Sequence, residues 1–146
     1  MKLILLMGLQ GSGKTTFCKE NFPELPRVSL DDCKTRAREK SLFLFYLKEG
    51  RDFIVDNTNP TAADRARYIG LAKEYGTRIE GYFLQSRVAD CVRRNALRSE
   101  EKRVPRLAIA GTSNKLQLPK TEEGFDALFF VKITPTGFEI SPWKEL

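Results

Sequence analysis

An unbroken apolar run, Leu3 to Met7, leads directly into Gly8-Leu9-Gln10-Gly11-Ser12-Gly13-Lys14-Thr15-Thr16. No other stretch of this chain constrains its fold so tightly. A short apolar run ending at a glycine reads as a buried strand, Lys2–Met7, and residues 14–21 after the loop read as a helix ended by Pro23 and Pro26. Gly8, Gly13, Lys14 and Thr15 have the spacing G-x-x-x-x-G-K-[ST], and the strand before and helix after are the context that makes this spacing a phosphate-binding loop. Glycines let successive backbone N–H groups turn inward onto phosphate oxygens, and the helix adds the positive end of its dipole. Gly8, Gly11, Ser12, Gly13 and Thr16 are therefore expected in the cradle. Lys14 can reach the β- and γ-phosphates, and the Thr15 hydroxyl is a suitable oxygen ligand for magnesium.

The remaining chain alternates. Short strands are expected at 27–30, 52–56 and 78–84. Helices are expected from the Asp31–Asp32 pair to Lys48, through residues 61–75, and over 87–100, with a further short helix after Pro105. The last segment, "ALFFVKITPTGFEI", reads as one or two strands with a hairpin near "TPTG". Alternating strand and helix predicts an α/β fold, a three-layer P-loop sandwich with a mostly parallel sheet and helices on both faces. The length of 146 residues suits one domain, residues 1–146, with an arginine-bearing helical lid over about 87–115.

Composition removes several function classes. There is no histidine, so a general base must be a carboxylate, Lys, Cys or Tyr. The three cysteines are widely spaced and lack zinc-site spacing, which predicts reduced thiols, no disulfide partner and a cytoplasmic location. Leu3–Met7 is too short for a membrane span. No Asp is followed three residues later by Gly, and Gln117 in "SNKLQL" stands where a guanine-specificity box needs an aspartate, which argues against a GTPase. A large motor or AAA machine calls for a longer chain; a small kinase fits the length.

A kinase needs a group that orients or deprotonates the acceptor, and cations on the transferring phosphoryl. Asp31–Asp32 follows the second predicted strand, on the same edge of the sheet as the glycine loop, where open parallel sheets bind ligands. One of the pair can be a helix cap, and the other can accept a proton. Asp56, at the end of the third predicted strand, can hold magnesium through water or form a turn with Asn57. On the helix 87–100, Arg94 and Arg98 are four residues apart and share a face, with Arg87, Arg93 and Arg103 nearby. They can serve an ATP phosphate chain or form a solvated basic face paired with Asp90 and Glu100.

At this point the chain resembles the kinase module of polynucleotide 5′-hydroxyl kinases, including the kinase half of polynucleotide kinase-phosphatases. "GLQGSGKTTF", "SLDD", "VDNTNPTAADRARYIGLAKEYG", "RRNALR" and "EEGF" carry the likeness over nearly the whole sequence. The resemblance implies ATP and Mg2+ at Lys14 and Thr15, and Asp31 as the base that activates a 5′-hydroxyl. It implies Arg98 as the lid arginine, supported by Arg94, and Asp56 and Asn57 at the acceptor pocket. Many members carry an arginine three residues after the base, where it grips the acceptor phosphate. Lys34 stands there in this chain, keeping the charge without the bidentate fork.

The net charge of +6 is concentrated in two blocks. Residues 27–51 hold seven Lys/Arg against four Asp/Glu, and residues 87–106 hold seven against three. Lys34, Arg36, Arg38 and Lys40 suit a nucleic-acid backbone, and one of Phe43, Phe45 and Tyr46 can stack on a base, although most of those rings should pack in the core. Three functions stay open on this reading: transfer of the ATP γ-phosphoryl to a 5′-hydroxyl end of DNA or RNA, transfer to a nucleoside, sugar or antibiotic hydroxyl, and nucleotide binding without transfer.

Overall fold

The computed structural model describes residues 1–145. In chain order the elements are β1 (Lys2–Met7), α1 (Lys14–Asn21), β2 (Arg27–Val28), α2 (Leu30–Cys33), α3 (Arg36–Glu49), β3 (Phe53–Asp56), α4 (Ala62–Glu74), β4 (Arg78–Leu84), α5 (Val88–Ala96), α6 (Arg106–Lys115), β5 (Ala127–Thr134) and β6 (Gly137–Pro142). They form one sheet of order β2-β3-β1-β4-β5-β6. The first five strands are parallel, and β6 returns antiparallel to β5 through the predicted hairpin. The expected fold class is what the chain adopts.

Alternation along β1 explains the layers. Leu3, Leu5 and Met7 point to one face and meet Phe43 and Leu47 of α3 with Tyr68, Ile69 and Ala72 of α4. Ile4 and Leu6 point to the other and meet Phe17 and Cys18 of α1. A strand buried on both faces reads as a continuous apolar run, which is why β1 shows no polar alternation. Leu6 lies opposite Asp56 in the β1–β3 register, so β3 ends its polar residue level with the start of the glycine loop. Among the described residues, no helix is long and apolar enough to cross a membrane.

Three local expectations are corrected. The second strand stops at Val28, and Ser29 caps α2, its hydroxyl accepting from the Asp32 N–H at 3.1 Å. Neither Asp31 nor Asp32 is the cap; both lie in the first turn, where the helix dipole favours them. The long helix expected from that point is two helices. Lys34 takes φ +72°, the left-handed region that ends helices, and Thr35 caps α3 afresh. The arginine-rich helix ends at Ala96 rather than residue 100. There the Asn95 amide donates to the Val104 carbonyl at 2.8 Å while its oxygen accepts from the Val104 N–H at 3.0 Å, folding the chain back on itself.

A fully buried arginine pins α4 to the connection before β5. Arg65, 0% exposed, forms a two-pronged ion pair with Glu123 at 2.8 and 3.0 Å and donates to the Asn59 and Gln117 carbonyls, each at 3.0 Å. Removing one partner leaves the other desolvated and unpaired. Arg65→Ala is therefore expected to cost about 3–5 kcal/mol, seen as a lower urea midpoint at unchanged m-value.

Candidate active site

The glycine loop closes over the carboxyl end of β1. Gly11 and Gly13 take φ +80° and +96°, which side-chain-bearing residues rarely adopt. A Cβ on Gly11 would also overlap the Cys91 carbonyl of α5, so the loop is held directly against the lid region. Gln10 donates to the Thr112 hydroxyl of α6 at 3.1 Å, and Leu9 packs with Cys91 and Ile109. No side chain caps the start of α1, leaving its first N–H groups for an anion. The Ser12 hydroxyl is buried there without a hydrogen-bond partner. A cradle of free donors around glycines fits a phosphate chain.

Lys14 folds back over the loop, its ammonium donating to the Gly8 and Leu9 carbonyls at 2.9 Å each. Burial pulls its pKa below the usual lysine value. Asp56 acts most strongly in the opposite sense, and more weakly the Arg98 charge lowers it and the Asp31 charge raises it. Three residues expected at the site from the sequence, Asp31, Asp56 and Arg98, thus each lie within electrostatic reach of Lys14.

Asp56 is buried. Its Oδ2 accepts from the Thr15 hydroxyl at 3.0 Å and lies 3.6 Å from the Arg27 guanidinium. This places Asp56 beside the phosphate loop. Two oxygen donors side by side suit magnesium, which takes one or two protein oxygens and completes its octahedron with water and phosphate. Among the described residues, no three His, Cys, Asp or Glu side chains gather as a metal cage.

Asp31 and Asp32 are separated by their partners. Asp32 pairs with Arg27 at 3.1 Å, whereas among the described residues no hydrogen bond or ion pair engages the exposed Asp31 carboxylate. Asn57 is used up inside the protein. Its oxygen accepts from the Leu30 N–H at 2.8 Å, and its amide donates to Glu39 at 2.7 Å and to the Tyr68 hydroxyl at 3.1 Å. Asn57 therefore holds the start of α2, and with it Asp31. Lys34 is exposed at the left-handed turn just beyond.

On the lid side, Arg94 donates to the Gly11 carbonyl at 3.2 Å. Arg98 lies past the end of α5, in a turn closed by its N–H donating to the Asn95 carbonyl at 3.1 Å, so the two arginines do not share a helix face. Arg93 is paired with Asp90 on the outside of the helix, as a solvated basic face would have it.

Several residues were not singled out by sequence reasoning. Arg27 bridges Asp32 and Asp56. Glu39, almost fully buried, accepts from Tyr68 at 2.7 Å, Asn57 at 2.7 Å and Arg36 at 3.1 Å. Burial and the Glu39 contact push the Tyr68 hydroxyl up to about 12, so it stays a donor to that carboxylate. A signal for Glu39 was present: it shares a helical stripe with Phe43 and Leu47, where a carboxylate is out of place unless satisfied.

Comparison with known proteins bears on the family and the fold. A family model described as an AAA domain matches residues 34–119. The match begins beyond the glycine loop, so the two are separate observations. The chain is 30% identical over 129 residues to a bifunctional polynucleotide phosphatase/kinase of Schizosaccharomyces pombe, covering 85% of this chain and 32% of that protein. It is 38% identical over 77 residues to a putative bifunctional polynucleotide phosphatase/kinase of Acanthamoeba polyphaga mimivirus, covering 50% and 18%. This chain thus spans a third or less of the curated relatives it matches. The resemblance to polynucleotide kinase-phosphatases is borne out. Among solved structures, the Mycobacterium tuberculosis APS kinase CysC in complex with AMPPNP and APS superposes with a TM-score of 0.58 at 18% identity, covering 92% of this chain and 88% of that one.

Proposed function

The chain belongs to the AAA-domain family and has the P-loop kinase fold, and on that premise we propose that it transfers the γ-phosphoryl of ATP to the 5′-hydroxyl end of a nucleic-acid strand. The observation that carries the reading is the Asp31 carboxylate, exposed and free of partners among the described residues, within electrostatic reach of the half-buried Lys14. The relatives' names supply the substrate class, and the two basic blocks supply a reason for a polyanion to bind.

The chemistry follows from the residues. The glycine loop and Lys14 hold the triphosphate, and Thr15 with Asp56 would hold magnesium, which when bound neutralises phosphate oxygens. Asp31 accepts the proton of the 5′-hydroxyl as its oxygen forms a bond to the γ-phosphorus. The bond from that phosphorus to the β–γ bridging oxygen breaks in line, and ADP leaves. Arg98 and Lys14 stabilise the charge that spreads over the moving phosphoryl. Arg27 engages one oxygen of Asp32, and Thr15 with Arg27 engages Oδ2 of Asp56, which leaves Asp31 as the carboxylate without a partner among the described residues.

The test uses ATP labelled at the γ-phosphate with magnesium, offered 5′-hydroxyl DNA, 5′-hydroxyl RNA, and a panel of nucleosides and sugars. Label on the oligonucleotide 5′ end is the expected result. Its KM should rise with salt, with a log–log slope of about 0.7 per neutralised phosphate. Label confined to a small molecule, with no salt dependence, would instead make this a small-molecule kinase on the same scaffold. Tight ATP binding without transfer would leave a nucleotide-binding module.

A further inference from the structure

We infer that the outer face of α3 is a track for the nucleic-acid strand behind the reacting end, with Phe45 as a base-stacking platform and Arg38 as a backbone contact, an inference that rests on the function proposed above. Helix α3 hides one stripe, Glu39, Phe43 and Leu47, against the sheet. Away from it, Ala37, Arg38, Ser41, Leu42 and Phe45 line a shallow groove. Phe45 is 51% exposed. A lone exposed ring means little by itself; what surrounds this one gives it meaning.

The ring is held from behind. Its edge meets Tyr46 at 5.6 Å and 65°, and Tyr46 in turn packs on the buried Phe53 at 5.4 Å. Ser41 and Ala37 lie about one and two turns before it on the same side and are small, which keeps the floor beside the ring low. A rigid aromatic with room alongside is what a nucleobase stacks on, whatever its sequence.

The charge is arranged to match. Arg36, Arg38 and Lys40 crowd the beginning of α3, where the helix dipole disfavours cations. The acid in the first turn of α3, Glu39, is buried and already engaged by Tyr68, Asn57 and Arg36. Among the described residues, Lys34, Arg38 and Lys40 have no ion-pair partner. This face therefore carries uncompensated positive charge that a phosphodiester backbone would neutralise. Arg38 and Phe45 stand about 10 Å apart along the helix axis. The groove begins just beyond α2, which bears Asp31, so a strand delivering its 5′ end to Asp31 can continue along it.

The experiment measures two quantities for the wild type, Phe45→Ala, Phe45→Trp and Arg38→Gln. The first is anisotropy of a 3′-fluorescent, 5′-hydroxyl single-stranded oligonucleotide of about 12 residues. The second is KM for phosphoryl transfer to that oligonucleotide and to a nucleoside 3′-monophosphate. Phe45→Ala should weaken oligonucleotide binding and raise its KM by about 5- to 100-fold, leave the mononucleotide KM unchanged, and be rescued by Phe45→Trp. Arg38→Gln should lower the salt slope by about 0.7. If the wild type labels the oligonucleotide and Phe45→Ala matches it in affinity and KM, the track is wrong while the proposed function stands. If the wild type neither binds nor labels any oligonucleotide, the proposed function fails and takes the track with it. If Phe45→Ala alters the oligomeric state in light scattering and not the nucleic-acid affinity, the face contacts another copy of the chain and the inference is overturned.

Discussion

Asp31→Asn is expected to slow phosphoryl transfer by about 10²–10⁴-fold, the usual worth of a positioned proton acceptor, while ATP affinity stays within about twofold. The asymmetry follows from where the three candidate carboxylates point. Asp32 is bound to Arg27, and Asp56 accepts from Thr15 beside the phosphate loop, so both are engaged by other groups. Asp31 alone of the three has a free carboxylate among the described residues. Asparagine keeps its shape and loses only the ability to take a proton. Single-turnover transfer rates alongside ATP titration check this. Full turnover in Asp31→Asn would move the proton to Asp32 or Asp56, and loss of ATP affinity in step with rate would make Asp31 a nucleotide ligand instead.

Lys14→Met is expected to cost about 10²–10³-fold in transfer, the scale of losing one preorganised charge on the transferring group, with nucleotide affinity falling as well. Stability should be nearly unaffected or slightly improved. The ammonium is desolvated against the Gly8 and Leu9 carbonyls, and methionine keeps the apolar stem without burying a charge. The measurement pairs ATP binding with thermal unfolding. Unchanged ATP affinity would remove Lys14 from the phosphate site. Loss of activity through unfolding would reduce it to a structural residue.

The phosphate loop was fully legible because its determinants are local. Gly8, Gly13, Lys14 and Thr15 lie within one strand–turn–helix, and the backbone conformation that makes the cradle follows from the glycines themselves. The parallel sheet was legible for a similar reason: each strand is a short apolar run set between helix-period segments. The misread elements turn on side chains that act at a distance along the chain. Ser29 outcompetes Asp31 and Asp32 for the cap, Lys34 breaks the long helix, and Asn95 reaches Val104 to stop α5 early. Each depends on which residue wins a particular hydrogen bond, and composition or periodicity does not rank such contests.

Residue types and spacing alone pointed to a phosphate-binding loop and excluded histidine from any proton transfer. They also put Asp31, Asp32 and Asp56 at the carboxyl ends of the second and third predicted strands, with Asp31 favoured by the family resemblance. Only the tertiary structure showed which of these carboxylates are engaged by other side chains. It did so through contacts between residues far apart in sequence: Arg27 with Asp32 and Asp56, Asp56 with Thr15, and Asn57 with Leu30 and Glu39. A carboxylate is a reactive base or a structural acceptor according to whether its oxygens are already occupied, and folding is what occupies them.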